Sequence, residues 1–417
     1  MAYIHSTQYR GNYDGLVDRV SATKLPGKIK KAEAVVFDII RPNEGTHADQ
    51  LLLKIFKCSR QVPEVFGAVA DKIKKNVPVI GASKETATWE LDRKKGTQIA
   101  KQVGIAVPET YEFKSLSEGM AFLKGKKDRW VFKPNNNQDL DLTYVESFPG
   151  ELKSKFEGEY KERLGDSFDY ILQKVIEGVE ISTEMWFDGH KPVLFNHTIE
   201  DKRLMNSNLG PAIGSQSNTV WIKQNPDGLL MAELGKLVPL LQAAGYAGAI
   251  DVNTVISETD QKPYFLEWTC RMGYDALYCL LSLLNGKIGD FLTNGFRGNF
   301  ADEFASSQRI TIPPFPYSEP SLLNSYAKGV EIQSGMEDRH FWAEDIKKNG
   351  NRIECAGADG ILGVVAARGN SLGGSVGNMY RAIDNLKIAS TLQYRTDAER
   401  RPQKAINKLQ KWGIKIW

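Results

Sequence analysis

Apolar and polar positions group along the chain in blocks that predict a mixed α/β and α+β protein. Residues 35–40 (VVFDII) and 77–81 (VPVIG) are short apolar runs rich in β-branched side chains, the pattern of buried parallel strands. Between them LLLKIF and VFGAVADKIKK have helical periodicity, so the start of the chain reads as a small domain of alternating strands and helices. Thr86 to Val103 reads as one helix, with Ile99 and Val103 on a shared face and Gly104 as its stop. WVFKP at 130–134 is a strand closed by proline, and 170–189 predicts two strands that turn at Gly178, then a turn at Asp188-Gly189.

From Asp201 to Val220 the polar, glycine-containing sequence predicts a long loop, a feature that in compact domains often carries function. Leu230, Leu234, Leu237 and Leu241 then recur at helical spacing within 229–244. Prolines cluster at 313–320; beyond them ILGVVAA at 361–367 predicts a strand, with helices near 376–386 and 402–412. The resulting division is an N-terminal unit 1–82, a central unit 83–300 whose first subdomain covers about 105–170, and a C-terminal α+β unit 301–417.

Composition narrows the classes of function. At about 150 residues per domain, 417 residues accommodate roughly three domains. With 54 basic and 51 acidic residues the net charge is only +3, so charge gives no reason to expect a nucleic-acid or membrane partner. Cys58, Cys270, Cys279 and Cys355 show no C-x-x-C spacing and read as isolated thiols of a reducing compartment. The first residues, MAYIHSTQYRGNYDG, have no apolar stretch of the kind a secretory leader needs, and no apolar run is long enough for a membrane helix. The expected location is therefore the cytoplasm, as a monomer or homodimer acting on small molecules.

The chemistry-bearing stretch is GAIDVNTVISETDQKPYFLEWTCRMG, 248–273. Two apolar strands flank the polar Ser257 to Gln261. Folding the hairpin about Thr259 sets Asp251 opposite Glu267, with both carboxylates on one face; a slip of one residue breaks this. Two facing carboxylates repel, and a hard divalent cation with oxygen ligands relieves the repulsion. Magnesium suits such a site because it takes one or two carboxylates together with nucleotide phosphates. Thr269 shares the face of Glu267, and Arg271 follows with a planar fork that fits phosphate oxygens. The bland alternative is a hairpin whose acids meet only water; their setting beside Leu266 and Trp268 weighs against it. His47 and His197 read as capping or sheet residues rather than bases, and Cys270 as a core thiol.

At this point the chain resembles the ATP-grasp superfamily and, within it, the phosphoribosylamine–glycine ligases. ASKETATWELDRKKGTQIAKQVGIAVPETYEF (82–113) is similar to the entry into an ATP-grasp domain, and ILQKVIEGVEIS to its adenine hinge and ribose segment. EDKRLMNSNLGPAIGSQS (200–217) is similar to the ligases' basic loop, LEWTCRMGYD (266–275) to their magnesium-binding strand, and HFWAEDI, ILGVVAARGNSLGGSVGNMYRAI and LQYRTDAERR to their C-terminal domain.

The resemblance implies an ATP-grasp fold with a Rossmann-like N-terminal domain, a small C-terminal α+β domain, ATP and Mg2+ as cofactors, and amide formation as in purine biosynthesis. It places Lys133 on the phosphates. Gln173, Lys174 and Ile176 would lie at the adenine, the strand edge from Gln173 to Ile176 offering backbone groups, and Glu180 at the ribose. Asp251, Glu267 and Thr269 fall on the metal, and Arg271, Lys202 and Arg203 on the reacting groups. The chain departs from the pattern in three places. It opens without a glycine-rich phosphate loop, NNNQDLDLTYV after Lys133 lacks a second lysine, and Thr269 stands where the ligases have a metal-binding asparagine. Besides a glycine ligase, these departures leave open a ligase with another carboxylate and amine, or an ATP-binding protein without turnover.

Overall fold

The computed structural model describes residues 2–4, 29, 32–37, 40, 43, 45, 47–134, 143–273, 275–335 and 339–416. The asparagines after Lys133 (135–137) lie outside the described residues, and of His47 only its place in a helix is described. The chain divides into two compact units: Met1–Ala87, Ile181–Asp251 and Thr269–Trp417 in the first, Thr88–Glu180 and Val252–Trp268 in the second.

The first unit begins with β1 (Ala2–Ile4), β2 (Val35–Phe37) and β3 (Val79–Ile80), a parallel sheet. Helices His47–Ile55 and Val65–Ile73 occupy the expected positions, and Val35, Phe37, Leu53, Phe66 and Val69 form their common core. Parallel strands joined through helices are what the 35–81 pattern calls for.

In the second unit β4 (Thr110–Ser115), β5 (Trp130–Pro134), β6 (Tyr144–Val145) and β7 (Ser167–Lys174) form an antiparallel sheet in the order β4-β7-β5-β6. Its core is aromatic: Trp130, Phe132, Phe156, Tyr160 and Tyr170 are all buried. The single helix expected over 86–103 is two, Lys84–Leu91 and Arg93–Val103. Asp92 interrupts it in an extended conformation, its side chain accepting from the backbone N–H groups of Lys94 and Lys95. An aspartate that can cap the next turn competes with helix continuation.

The remaining long strands are β8 (Gly178–Phe187), β9 (Pro192–Met205), β10 (Leu209–Lys223), β11 (Gly248–Ser257) and β12 (Pro263–Thr269). With β13 (Phe304–Thr311), β15 (Phe341–Ala343) and β18 (Ile361–Gly369), the first unit's sheet runs β11-β8-β9-β10-β13-β18-β15. Strands of the segment 301–417 thus stand beside strands of the segment 83–300. Short ladders join β14 (Ile332–Ser334) to β19 (Lys387–Ile388) and β16 (Ile346–Asn349) to β17 (Arg352–Cys355). On one face Trp186, Val220, Ile222 and Val364 pack with Tyr278, Leu280 and Phe291.

The long loop expected from Asp201 to Val220 is instead a hairpin of two long strands, closed by a short turn at Asn206–Asn208. Its polar sequence misleads because these side chains satisfy one another inside the sheet. Ser217 donates to Asp201 (2.9 Å), Asn218 to Ser307 (3.2 Å), and Gln216 to the carbonyl of Arg309 (3.0 Å). The expected helix over 229–244 is likewise broken into Gly228–Leu234, a 3-10 turn at Gly235–Leu237 and Val238–Ala243, where Gly235 and Pro239 interrupt it.

Candidate functional site

In the second unit, Lys133 lies near the end of β5 and donates its ammonium to Gln173 Oε1 on neighbouring β7 at 2.9 Å. Gln173 in turn donates to Thr110 Oγ1 on β4 at 3.2 Å. Gln173 pairs with Thr110 on one side and Val131 on the other, so β7 is an inner strand and the expected open edge does not include Gln173. The backbone N–H groups of Lys174 and Val175 are also committed, to the carbonyls of Glu109 and Arg129, and the Lys174 ammonium sits 3.0 Å from Asp128. Half-buried Ile176 lies just beyond, in the connection to β8. Gly178 opens β8 instead of forming a turn: a Cβ there would fall 2.0 Å from the carbonyl oxygen of Ile256, so only glycine permits the approach.

Arg93, which the sequence reading passed over, ties this region together. Its Nε donates to the carbonyl of Pro134, next to Lys133, at 2.8 Å. Burial lowers the guanidinium's pKa, and the charge of exposed Glu267 opposes that shift. A cation in the first turn of Arg93–Val103 opposes the helix dipole, a signal the sequence did contain.

The hairpin of β11 and β12 closes with Ser257 N–H on the carbonyl of Lys262 (3.0 Å) and Gln261 N–H on the carbonyl of Ser257 (2.9 Å). Gln261 is the extra residue, at φ 55, so the turn is one residue longer than a fold about Thr259. A second irregularity follows on β12: the rings of Phe265 and Trp268, three residues apart, lie 5.3 Å from each other, where a regular strand would point them to opposite faces. The register at the turn therefore does not run straight through to Glu267. Trp268 is anchored by its Nε1 donating to Gly96 O at 2.9 Å.

In the first unit Asp251 is buried on β11 within reach of Ser182, Glu184 and Glu200. Burial, then the charges of Glu184 and Glu200, push its carboxyl well above the usual range, against a hydrogen bond from Ser182 and the charge of Lys202. Glu184 accepts from Trp186 Nε1 at 2.8 Å and is pushed up to about 7, chiefly by burial. The Lys202 Nζ stands 3.6 Å from Glu200. A divalent cation would offset the repulsion between these carboxyls. Among the described residues no group of three or more histidine, cysteine, aspartate or glutamate side chains is arranged to hold a metal ion.

Arg203 donates to the carbonyl of Gly210 at 2.8 Å, steadying the β9–β10 hairpin. Thr269 and Arg271 are partly buried and flank fully buried Cys270, a core thiol as expected. Glu180 is partly buried on β8. His197 is a satisfied sheet residue, bonded to Asp227 Oδ2 at 2.8 Å. Sequence reasoning also missed Asp275, whose carboxylate pairs with Arg309 on β13 at 3.0 Å in full burial.

No family model matches the chain. Phosphoribosylamine–glycine ligase of Leptospira interrogans is 22% identical over 334 residues, covering 77% of this chain and 77% of that protein. The crystal structure of phosphoribosylamine–glycine ligase from Thermotoga maritima matches with a TM-score of 0.61 at 18% identity, over 76% of this chain and 81% of that one. A biotin carboxylase from Campylobacter jejuni, solved as an ATP-type complex, matches at 0.55 and 14% identity, over 94% and 83%. The chain has the ATP-grasp fold and is similar to phosphoribosylamine–glycine ligase. Among the described residues no helix is long and apolar enough to cross a membrane.

Proposed function

We propose that this ATP-grasp chain is an ATP-dependent ligase that joins a carboxylate to an amine through an acyl phosphate. The observation that carries the reading is the buried cluster of carboxyls at Asp251, Glu184 and Glu200, on a fold shared with such ligases.

In this reading Lys133 and Arg93 contact the ATP phosphates, the backbone at Ile176 meets the adenine, and Glu180 accepts from the ribose hydroxyls. Gln173 orients Lys133, and Lys174 supports the hinge through Asp128. Asp251, Glu267 and Thr269 would hold magnesium through their oxygens, and it would neutralise phosphate charge. A substrate carboxylate oxygen attacks the γ-phosphorus and ADP leaves, giving an acyl phosphate. The amine then attacks the acyl carbon, loses a proton, and inorganic phosphate departs. Arg271 stabilises charge on the transferring group, and Lys202 and Arg203 hold the carboxylate substrate. No protein nucleophile takes part.

For the substrates, glycine and an aminosugar phosphate are the first pair to test, because they match the similar ligases. A second pair is favoured by the missing glycine-rich loop at the start of the sequence. The test is ADP release with phosphoribosylamine and glycine, followed by a panel of other carboxylates and amines. Turnover on the first pair alone supports the glycine-ligase form; turnover only on another pair supports the diverged one. ATP binding with no turnover on any pair overturns both.

A further inference from the structure

Arg271 belongs to the first unit, in a short link of chain between the end of β12 and the helix Ala276–Leu283. It is partly buried; Cys270 and Met272 on either side of it are buried, and so is Asp275 at the end of the link.

Two buried carboxyls hold this link. Glu184 on β8 pairs with Asn196 on β9 and receives three donors: Trp186 Nε1 at 2.8 Å, the Asn196 side chain, and the backbone N–H of Gly273. The last of these ties the middle of the link to the sheet. Asp275 ties its end. The Asp275 Oδ2 accepts from Arg309 Nε at 3.1 Å and lies 3.0 Å from Nη2, while Arg309 Nη1 donates to the carbonyl of Ile213 at 3.1 Å. Arg309 belongs to β13 and Ile213 to β10, so two further strands hold this end. The helix beyond is fixed in turn: the Tyr278 ring stacks on Trp342 at 5.2 Å, and its hydroxyl donates to Glu344 at 3.1 Å.

Stability alone would not select these ties. A buried carboxyl, even when paired, gives up hydration that an apolar residue of similar volume never had. Asp275 stands at the N-cap of its helix, where an aspartate normally accepts from the helix's own first N–H groups; here its side chain makes no such bond. Its backbone lies at φ 47 and ψ −40, outside both the right-handed and the left-handed helical regions. Backbone strain of this kind persists only where the surroundings over-determine it, and it gathers at sites where geometry serves a function. The nearest side chain with chemistry to perform is that of Arg271.

We propose that Glu184 and the Asp275–Arg309 pair are positioning residues: they hold the 271–275 link in one conformation and so fix the direction of the Arg271 guanidinium. The clamp itself stands on the contacts above. Its use in turnover rests on the ligase reading, in which Arg271 stabilises charge on the transferring group. A guanidinium that acts on charge developing in the transition state contributes to kcat rather than to ATP affinity, so loss of its aim should lower kcat and leave the KM for ATP in place.

The test uses the full chain and two variants, Glu184→Gln, which leaves one acceptor oxygen for three donors, and Asp275→Asn, which removes the charge facing Arg309. Hydrogen exchange without ligand reads the clamp. Amides of 271–277 should exchange at least about tenfold faster in each variant, while those of β18 keep their rates, which separates local opening from general loss of stability. Unchanged exchange at 271–277 in both variants overturns the clamp. Steady-state ADP release then reads its use. Each variant should lower kcat at least about tenfold with the KM for ATP within about twofold, and neither should lower kcat further in an Arg271→Ala background. Val376→Ala, a cavity in the buried face of the helix Leu372–Asp384, should lower the melting temperature and leave kcat unchanged. An unchanged kcat, or losses that add to that of Arg271→Ala, overturns action through Arg271. Absence of turnover on every substrate pair overturns the ligase reading and the use of the clamp with it, and the exchange rates still decide the clamp.

Discussion

Lys133 and Gln173 face each other across β5 and β7, the ammonium 2.9 Å from the amide oxygen. Gln173 is itself held by Thr110, so the amide that receives the ammonium is fixed in turn. Lys133→Ala is expected to weaken ATP at least tenfold in calorimetry. Gln173→Ala, which leaves the charge but not its aim, should weaken ATP less than Lys133→Ala. Equal, unchanged affinities in both variants would remove Lys133 from the ATP site.

Glu184 sets a pH dependence of stability. Its carboxyl rises from 4.5 to about 7 on folding, so the native state binds the proton more tightly. Stability from this group is full below about pH 4.5 and is lost as pH rises through about 7, by about 3 kcal/mol at most. Asp251, raised for the same reasons, adds to the same trend. Glu184→Gln keeps an oxygen for Trp186 and has no proton to lose. Urea melts at pH 5 and pH 8 should show a smaller fall in stability for the variant than for the parent chain.

Asp275 and Arg309 form a buried pair, and removing one partner strands the other. Asp275→Ala is expected to cost about 3–5 kcal/mol in urea unfolding. Asp275→Asn should cost less, since asparagine still accepts a hydrogen bond from Arg309.

Much of the fold was legible from local pattern. The apolar runs at 35–40 and 77–81, the WVFKP strand and the 361–367 strand are found close to where periodicity puts them, because short buried strands need continuous apolar sequence. The β9–β10 hairpin was not legible. Its interior positions are Asp201, Ser217 and Asn218, and their partners, Arg395 and Ser307, lie about a hundred residues or more away. Asp251, Glu267, Arg271 and Lys133 were singled out from the sequence by residue type, and their assignment to a site is the proposal made above. Their supporting contacts were not legible: Gln173 as the aim of Lys133, Arg93 beside Glu267, and Glu184 beside Asp251 all depend on pairing between distant strands. The register of β12 was beyond reach too, because the extra residue at Gln261 and the irregularity between Phe265 and Trp268 leave no mark in local sequence.

The most direct test is ADP release by the full chain with ATP and magnesium over paired carboxylates and amines, run beside Glu267→Gln. Release that requires both substrates and the metal is expected, with a loss of at least about a hundredfold in the variant with its fold intact. Tight ATP binding with no ADP formed on any pair, or turnover untouched by Glu267→Gln, would contradict the ligase reading.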